Sequence, residues 1–415
     1  MNLREVRKRV LELVRMSEAE WIDLEQAVGR VAAASVRAKV DLPQSGRSGF
    51  DGFAIRSADT REASTEAPCT LTCLPGSVAA GSTRRVSLRT GHTVEIFTGA
   101  PLPANADAVV PMENVVRNGQ RVAIPHVIHA GEGVRRMGEE ALKGEELIAR
   151  GQILTPTRLA ILATQGIRTL QVFSRPRVFV LGTGDEVREL GQPTDGPYIY
   201  GNNRLLMGWL ASCCGGIPVQ AGIARDDTAE IAGRLETANG EVVITTGGIG
   251  RGGRDCVLDA WARMGVQVIC REINLIPGKT SATGWKDNRL FFALPGNPWG
   301  AQAVFEELVA PALRKHQGLK PLQRPAVAAR LTSSVRKRPG FFKAVRGILK
   351  FEGPIPSFEP IRPKDTSLFS ILKKSLAFAL LDAETEELEA GSQLEVFLHE
   401  CPLAAYPLLS DSTLC

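Results

Sequence analysis

Three loops in the second half of the chain combine glycine with polar or acidic residues at close spacing. They are Gly182-Thr183-Gly184-Asp185-Glu186, the stretch from Thr245 to Asp255 (TTGGIGRGGRD), and Leu294-Pro295-Gly296-Asn297-Pro298. Glycine lets backbone N–H groups approach phosphate oxygens, and a helix that begins after the loop adds the positive end of its dipole. Because the second loop lacks GxxxxGK[ST], it is not a Walker A loop, and tight turns alone also use glycine. The combination predicts a site for a phosphate-bearing anion. The candidate ligand-binding residues in the last two loops are Gly247, Gly248, Gly252, Pro295, Gly296 and Asn297.

Three carboxylates accompany these loops. Glu186, Asp226 and Asp255 could face one crevice, where they would hold Mg²⁺ against a pyrophosphate. The alternative is that each caps the following helix, which fits Asp226 or Asp255 singly but explains all three less well. Lys279, in Pro277-Gly278-Lys279, could serve as a counter-charge to phosphate, although alone it would be an ordinary surface lysine.

The elements that carry these loops alternate between strand and helix. Buried runs such as RVFVL, EVVITT and RLFFAL are each followed by a helical segment, as in NRLLMGWLASC and CVLDAWARMG. This alternation predicts a doubly wound parallel sheet over residues 176–320, an α/β domain whose ligand lies beyond the carboxyl ends of the strands.

The remaining segments predict further domains. Residues 1–43 have a helical pattern that resumes at 155–166, so 1–43 plus 136–175 are expected to form a discontinuous N-terminal domain, helical or extended. Short β-like runs predict a β-rich insert over 44–135 and a small C-terminal domain, barrel-like, over 321–402. Residues 403–415 are expected to be a tail.

Composition excludes several classes of protein. The 415-residue chain is 44% hydrophobic and 23% charged, values typical of a globular protein, and no apolar run is long enough to span a membrane. The N-terminus lacks the pattern of a signal peptide, so the expected location is the cytoplasm. The eight cysteines form no paired CxxC units and there is no HExxH, so a metal would be held by carboxylates, which favours Mg²⁺.

One segment is strongly basic. Residues 321–350 contain eight lysines and arginines and no acidic residue. The segment is either a solvated face or a surface for an acidic ligand. Nucleic acid is the less favoured ligand, since the segment lacks a nucleic-acid-binding motif and has few interleaved aromatic residues.

Several motifs in one order resemble the molybdopterin molybdenumtransferase family, which includes the MoeA proteins and the E domain of gephyrin. They are GRVAAASVRAKVDLP with Ser48-Gly49-Phe50-Asp51-Gly52-Phe53-Ala54, the stretch Phe97-Thr98-Gly99-Ala100-Pro101-Leu102-Pro103 with Ala106-Asp107-Ala108-Val109-Val110, GEGVRRMGEE, TTGGIGRGGRD, PGK, LPGNP and Val345-Arg346-Gly347. The resemblance covers about residues 2–400.

The resemblance implies an activity. It is the cleavage of adenylylated molybdopterin, with release of AMP and Mg²⁺-assisted insertion of molybdate into the dithiolene. It also implies a homodimer whose cleft is built by both subunits, and a partner that adenylylates molybdopterin. The positions that match functional residues of the family are Asp51, Thr98, Glu186, Asp226, Asp255, Lys279 and Arg346, and Ser367 matches one of a serine pair. Asp51, Thr98, Asp226 and Asp255 are the expected catalytic residues.

The sequence also departs from the family pattern. Gly250 replaces a serine, Ile276 replaces the first lysine of KPGK, and Gly300 occupies a position of serine or alanine after the bulky Trp299. Glu140 stands in place of an aspartate. These changes leave open a second hypothesis, a degenerate or tungstate-specialised relative that binds molybdopterin as a carrier or scaffold. A general nucleotide-phosphate enzyme on the same fold is a third, which the motifs around Asp51 and Thr98 disfavour.

Overall fold

A computed structural model describes residues 1–193, 195–249, 255–320, 322, 324–361 and 377–398. Gly250, Gly252, Ser367 and the predicted tail lie outside the described residues. The chain divides into two compact units, the first formed by Met1–Ala34, Arg150–Thr155 and Thr169–Cys415, and the second by Ser35–Ala149 and Pro156–Arg168. The finer division into domains at residues 43, 135, 175, 320 and 402 stays a prediction.

The first unit contains the predicted α/β sheet. Its strands follow one another across the sheet in the order Ile217–Ala224, Arg177–Thr183, Val242–Thr246, Arg289–Leu294, Ala282–Lys286 and Gln267–Arg271. The first four are parallel, which confirms the predicted doubly wound sheet. The last two join through antiparallel pairings that the sequence pattern did not indicate.

Helices cover both faces of this sheet. They are Asn202–Cys213, Thr228–Glu236, Cys256–Met264, and Pro298–Val304, which continues through a π-helical segment at Phe305–Val309 into Ala310–His316. Alternate residues of one strand serve opposite faces: Val178 and Val180 join the core under the first and last helices, whereas Phe179 and Leu181 join the core under the middle two. Burial on both faces explains why the strands are apolar throughout.

The N-terminal segment differs from the expectation. The helix Leu3–Leu13 is confirmed, but the prediction that residues 1–43 are helical is wrong beyond it. Short strands and turns follow, with Ala19–Asp23 paired to Thr169–Phe173. In the alanine-rich run, Ala32 and Ala33 donate their N–H groups to carbonyls of residues 152 and 171, so pairing across the chain replaces the helical hydrogen bonds.

The second unit contains the predicted β-rich insert. Its six-stranded sheet has the order Ala108–Pro111, Gly52–Ile55, His92–Ile96, Cys69–Val78, Arg121–Ile124 and Val116–Asn118. Two shorter pairs accompany it, Arg47–Ser48 with Val134–Arg135 and Val36–Arg37 with Glu146–Ile148. The helix Pro156–Thr164, expected at 155–166, also belongs to this unit.

The C-terminal strands of the first unit form a closed sheet, which confirms the barrel-like prediction. The order is Leu275–Ile276, Phe342–Lys350, Ser357–Pro360, Ala326–Leu331, Gln393–Leu398 and Ala377–Leu381, and the last strand pairs back with Phe342–Lys350. Val335–Arg336 pairs with Glu387–Leu388, and Val187–Arg188 pairs with Ile199–Tyr200 elsewhere in the unit. In the part of the chain that the structure describes, no helix is both long and apolar enough to cross a membrane.

Candidate functional site

A crevice lies at the carboxyl ends of the parallel strands. The neighbouring strands Arg177–Thr183 and Val242–Thr246 are followed by helices that pack on opposite faces of the sheet, which opens a gap between their ends. Gly182, Thr183, Glu186, Asn203, Gly247 and Gly296 are among the residues that line it. All three glycine-containing loops that the sequence analysis identified therefore contribute residues to this crevice.

Two glycines of the central loop are required by the space around them. Gly247 and Gly248 have φ of +93° and +60°, and an added Cβ would lie 2.6 Å from the carbonyl oxygen and 2.7 Å from Oγ1 of Thr183, respectively. The Gly247 N–H donates to the carbonyl of Leu294, 3.1 Å away. Glycine therefore allows this loop to pack against the neighbouring strand end, and the predicted role of Gly247 in ligand binding would rest on close approach rather than on its own N–H group.

The predicted carboxylates occupy different positions around the crevice. Glu186 is exposed and lines it, with its carboxylate folded back over Gly184. The Asp226 N–H donates to Asp185 Oδ1 at 3.3 Å, and the Cys256 thiol donates to the Asp226 carbonyl at 3.3 Å. Asp226 is thus held beside two of the three loops.

The capping alternative is wrong for Asp226. The side chain that caps the helix Thr228–Glu236 is Asp227, which accepts from the N–H of Glu230. Asp226 Oδ1 is buried without a hydrogen-bond partner among the residues described. Asp255 occupies the position before the helix Cys256–Met264, but its side chain makes no capping hydrogen bond. Neither carboxylate therefore caps the helix that follows it, and the Asp226 oxygen calls for another explanation.

The carboxylates do not form a preassembled metal site. Within the described ranges, no three His, Cys, Asp or Glu side chains are arranged to hold a metal ion. Mg²⁺ commonly uses one or two protein carboxylates and takes its remaining ligands from water and substrate phosphates. The buried, unpartnered oxygen of Asp226 fits that kind of incomplete site.

Asn203 is a polar residue of the crevice that the sequence analysis missed. Its Nδ2 donates to the carbonyl of Gly296 at 2.6 Å, while its Oδ1 is buried without a described partner. The available signal was its position in the first turn of the helix that follows the first glycine loop.

Arg346 lies elsewhere in the first unit, in the strand Phe342–Lys350. The residue is only 9% exposed, and burial lowers the pKa of its guanidinium to about 10. Nη2 donates to Gln302 Oε1 at 2.7 Å, and the guanidinium carbon lies 4.0 Å from the centroid of the Trp299 ring. Nε and Nη1 have no hydrogen-bond partner among the described residues. We refer to Trp299, Gln302 and Arg346 as the arginine corner.

The lysine turn packs close to this corner. An added Cβ at Gly300 would lie 3.5 Å from the backbone nitrogen of Gly278, so the turn that carries Lys279 runs past the residue next to Trp299. Lys279 Nζ is 3.7 Å from a carboxylate oxygen of Glu272. The small size of Gly300, a departure from the family pattern, thus belongs to a tightly packed junction.

Asn297 and Pro295, the other predicted ligand-binding residues of the third loop besides Gly296, stabilise the local structure. Asn297 Oδ1 accepts from the N–H groups of Trp299 and Gly300, so it caps the helix Pro298–Val304. Pro295 lies 3.4 Å from the Cβ position of Gly300. Both residues support the turn, and their predicted role in ligand binding stays a prediction.

Asp51 and Thr98 meet in the second unit. Asp51 Oδ1 accepts hydrogen bonds from the backbone N–H and the hydroxyl of Thr98, both at 2.7 Å. The backbone bond first, and then the hydroxyl bond, lowers the pKa of this fully exposed carboxylate below its ordinary value. The structure therefore brings these two predicted catalytic residues together, with Asp51 ionised at neutral pH.

Comparisons with known proteins cover almost the whole chain. Residues 1–166 match the family described as "MoeA N-terminal region (domain I and II)", residues 179–315 match "Probable molybdopterin binding domain", and residues 328–398 match "MoeA C-terminal region (domain IV)". The three matches follow one another in chain order.

Individual relatives agree. The chain is 31% identical over 408 residues to "Molybdopterin molybdenumtransferase 2" of Mycobacterium tuberculosis, covering 95% of this chain and 99% of that protein. It is 29% identical to "Molybdopterin molybdenumtransferase" of Haemophilus influenzae, with 95% and 98% covered. A solved MoeA structure from Pyrococcus horikoshii superimposes with a TM-score of 0.82 at 30% identity, over 96% of this chain and 99% of that one.

Proposed function

The chain belongs to the MoeA family, and we propose that it is a molybdopterin molybdenumtransferase of molybdenum cofactor biosynthesis. It would take adenylylated molybdopterin and molybdate, and release AMP as molybdenum enters the dithiolene. The observation that carries this proposal is the similarity to relatives of that name over nearly the full length of both chains. The resemblance of the sequence motifs leads to the same reaction.

We propose that the crevice binds the phosphate-bearing part of the substrate. Gly247 and Gly296 line it without side chains, Gly248 is the next residue of the same loop, and Asn203 Oδ1 offers an acceptor that has no partner among the described residues. Gly252 is included by its place in the same loop. Binding of the phosphates in the crevice would orient the substrate. The reaction needs a fixed orientation because the phosphoanhydride must face water while the dithiolene faces molybdate.

Mg²⁺ is the proposed ion, with Asp226, Asp255 and Glu186 as its candidate protein ligands. Its chemistry would be to neutralise the phosphoanhydride oxygens as the P–O bond breaks. Asp226 supports the assignment because its Oδ1 is buried and unpartnered within the described chain. The AMP phosphate leaves with the oxygen of the attacking water, and the pterin keeps its own phosphate.

The arginine corner and Lys279 are the proposed sites for anionic charge. Arg346 is buried and has two nitrogens without described partners, and Lys279 carries positive charge beside the same junction. A buried cation with unused donors is suited to an oxyanion. We assign molybdate to this corner, with Ser367 as a further ligand by resemblance.

Asp51 and Thr98 are proposed catalytic residues by resemblance. The two hydrogen bonds from Thr98 keep Asp51 ionised, so its second oxygen can accept a proton or a hydrogen bond from water. We also propose that the protein acts as a homodimer in the cytoplasm and receives its substrate from the partner that adenylylates molybdopterin.

The replacement of a family lysine by Ile276 favours the carrier hypothesis, but the residues around Ile276 argue against that hypothesis. Ile276, which replaces a family lysine, is 38% exposed and lines a hollow with Arg336, Arg338 and Lys343. Positive charge therefore surrounds the position even without the lysine. We expect the protein to turn over rather than only to bind.

The test is a reaction with purified full-length protein, adenylylated molybdopterin, MgCl₂ and molybdate, in which AMP is measured chromatographically and cofactor by activation of a cofactor-free molybdoenzyme. We expect AMP and active cofactor together. If a known molybdenumtransferase releases AMP under these conditions and this protein does not, the proposed activity is wrong. Tight substrate binding without AMP would identify the carrier instead, and AMP release with tungstate alone would identify the specialised relative.

A further inference from the structure

Arg346 is a buried cation whose described neighbours supply no carboxylate. The hydrogen bond and the ring contact that the described residues give its guanidinium come from the neutral side chains of Gln302 and Trp299. A charge removed from water without a counter-ion is costly unless a ligand supplies one. The proposed function fills that need with an oxyanion, but it leaves the role of the tryptophan unexplained.

Trp299 is held at its backbone and at its ring. Its backbone N–H donates to Asn297 Oδ1 at 2.9 Å, at the start of the helix Pro298–Val304. Its ring packs edge-to-face on Phe378, with centroids 6.2 Å apart and an interplanar angle of 74°. Phe378 is the cross-strand partner of Arg346 in the C-terminal sheet. The ring therefore joins the α/β domain to the strand that carries the arginine.

We propose that Trp299 is a positioning residue that holds the Arg346 guanidinium for a tetrahedral oxyanion. The proposal rests on the proposed function, in which that oxyanion is molybdate. All N–H groups of a guanidinium lie in its plane, and the guanidinium carbon of Arg346 lies over the Trp299 ring, 4.0 Å from its centroid. Gln302 fixes the rotation of the group through Nη2, so Nε and Nη1 remain to donate to an anion that approaches in the plane.

This arrangement explains why a bulky residue stands beside Gly300. An aliphatic side chain would fill space but would not attract the cation, because only an aromatic face carries the negative quadrupole. The guanidinium could then turn away from the direction in which the oxyanion binds. The loss should appear in the affinity for the oxyanion and leave the affinity for the pterin substrate unchanged.

The experiment compares three variants of the full chain: Trp299→Leu, Trp299→Phe, and Trp209→Leu as a matched control, because Trp209 is 62% exposed on another helix. Molybdate binding is measured by calorimetry, and KM values come from the AMP-release assay. We expect Trp299→Leu to weaken molybdate binding and raise the KM for molybdate about tenfold, as cation–π energies at desolvated sites imply. Trp299→Phe should stay within about threefold of the wild type because it keeps an aromatic face.

A second measurement protects the test against a folding defect. Molybdate should change the fluorescence of the wild type and of Trp209→Leu, but not that of Trp299→Leu, provided thermal unfolding shows that all variants are folded. The inference is overturned if Trp299→Leu binds molybdate as tightly as the wild type, or if Trp299→Phe is as impaired as Trp299→Leu. An inactive wild type that does not bind molybdate would instead contradict the proposed function itself.

Discussion

Arg346 and Asp51 are both charged residues that we assign to the reaction, but they differ in burial and in hydrogen bonding. Arg346 is 9% exposed and keeps two nitrogens without partners among the described residues. Asp51 is exposed and is satisfied by two hydrogen bonds from Thr98. A buried charged group with unused hydrogen-bonding capacity calls for a physical explanation, for which a ligand is one candidate, whereas an exposed group with hydrogen-bond partners calls for none. The case for Asp51 therefore rests on its sequence motif.

The same contrast separates Arg346 from its basic neighbours in sequence. Arg324, Arg336 and Lys350 each form an ion pair, with Glu306, Glu387 and Glu359 respectively. Lys337 and Lys343 donate to backbone carbonyls. Three of the eight basic residues of the segment are thus paired with carboxylates and two more are held by carbonyl groups. Arg346 differs from these five because it is buried and keeps two nitrogens without partners among the described residues.

Replacing Arg346 should have the largest effect. We expect Arg346→Ala to weaken molybdate binding about 100-fold, because hydrogen bonds from a charged donor contribute about 1.5–3 kcal/mol each. Calorimetry with molybdate measures it. An Arg336→Ala control, at an exposed neighbour, should lose no more than about threefold. Equal losses in both variants would show that the whole segment, rather than the buried residue, attracts the anion.

Arg346→Lys adds a pH test. Burial would lower the pKa of a lysine at this position, so the charge would be lost as pH rises through that value, and molybdate affinity would fall with it. The wild-type guanidinium, with a pKa of about 10, stays charged through the neutral range, so its affinity should be nearly constant from about pH 6 to 9. Parallel pH profiles in the two proteins would contradict the assignment of binding to this charge.

Asp226 resembles Arg346 in having a buried atom without a described partner, and it tests the metal proposal. Asp226→Asn removes a negative ligand and should raise the Mg²⁺ concentration for half-maximal AMP release roughly tenfold. Asp227→Asn is the matched control: it changes the adjacent carboxylate, and asparagine caps a helix about as well as aspartate. Identical Mg²⁺ titrations for the two variants would remove Asp226 from the proposed ligands.

Local pattern was sufficient for most of the architecture. Apolar runs such as Val242–Thr246 and Arg289–Leu294 are buried on both faces, so their sequences alone predict central parallel strands. The strands Gln267–Arg271 and Ala282–Lys286, which join the sheet through antiparallel pairings, are less completely buried, and they were missed. The alanine-rich run after Gly29 misled for the opposite reason: helix propensity lost to pairing with distant segments.

The arginine corner shows what local pattern cannot reach. The resemblance identified Arg346, and the sequence shows Trp299 as a bulky departure, but nothing in either segment indicates that they touch. Their contact depends on the C-terminal strand Phe342–Lys350 lying against the start of the helix Pro298–Val304. Gln302 carried no signal at all, because a glutamine inside an apolar helix has no defined partner until the fold is known.

Thr98→Val tests the role of the exposed carboxylate of Asp51. The backbone N–H of residue 98 remains, so only the second of the two contributions to the low pKa of Asp51 is lost, and that pKa should rise part of the way to its ordinary value. The carboxylate would then take up its proton at higher pH, which moves the acid limb of the activity profile upward. Activity at neutral pH should fall by no more than about threefold, because Asp51 is still ionised there.

Carbon-detected NMR of the Asp51 carboxyl measures that pKa directly, and Thr98→Ser, which keeps the hydroxyl, should titrate like the wild type. A shifted carboxyl pKa with an unshifted acid limb would show that Asp51 does not govern the pH dependence of the reaction.

Ile276→Lys should have the smallest effect, and an increase rather than a loss. The change restores a lysine that the family carries, but it places the new charge opposite Lys343 in the paired strands and beside Arg336 and Arg338. Repulsion among these cations offsets part of the attraction, so molybdate affinity should rise only about threefold at low ionic strength and the gain should vanish at high salt. Ile355→Lys adds the same charge at an isoleucine of similar exposure outside the hollow, and should leave affinity unchanged. If Ile276→Lys binds molybdate no better than this control, the natural replacement of lysine by isoleucine does not affect anion binding. Molybdate affinity would then depend on the buried Arg346 and not on the exposed charges.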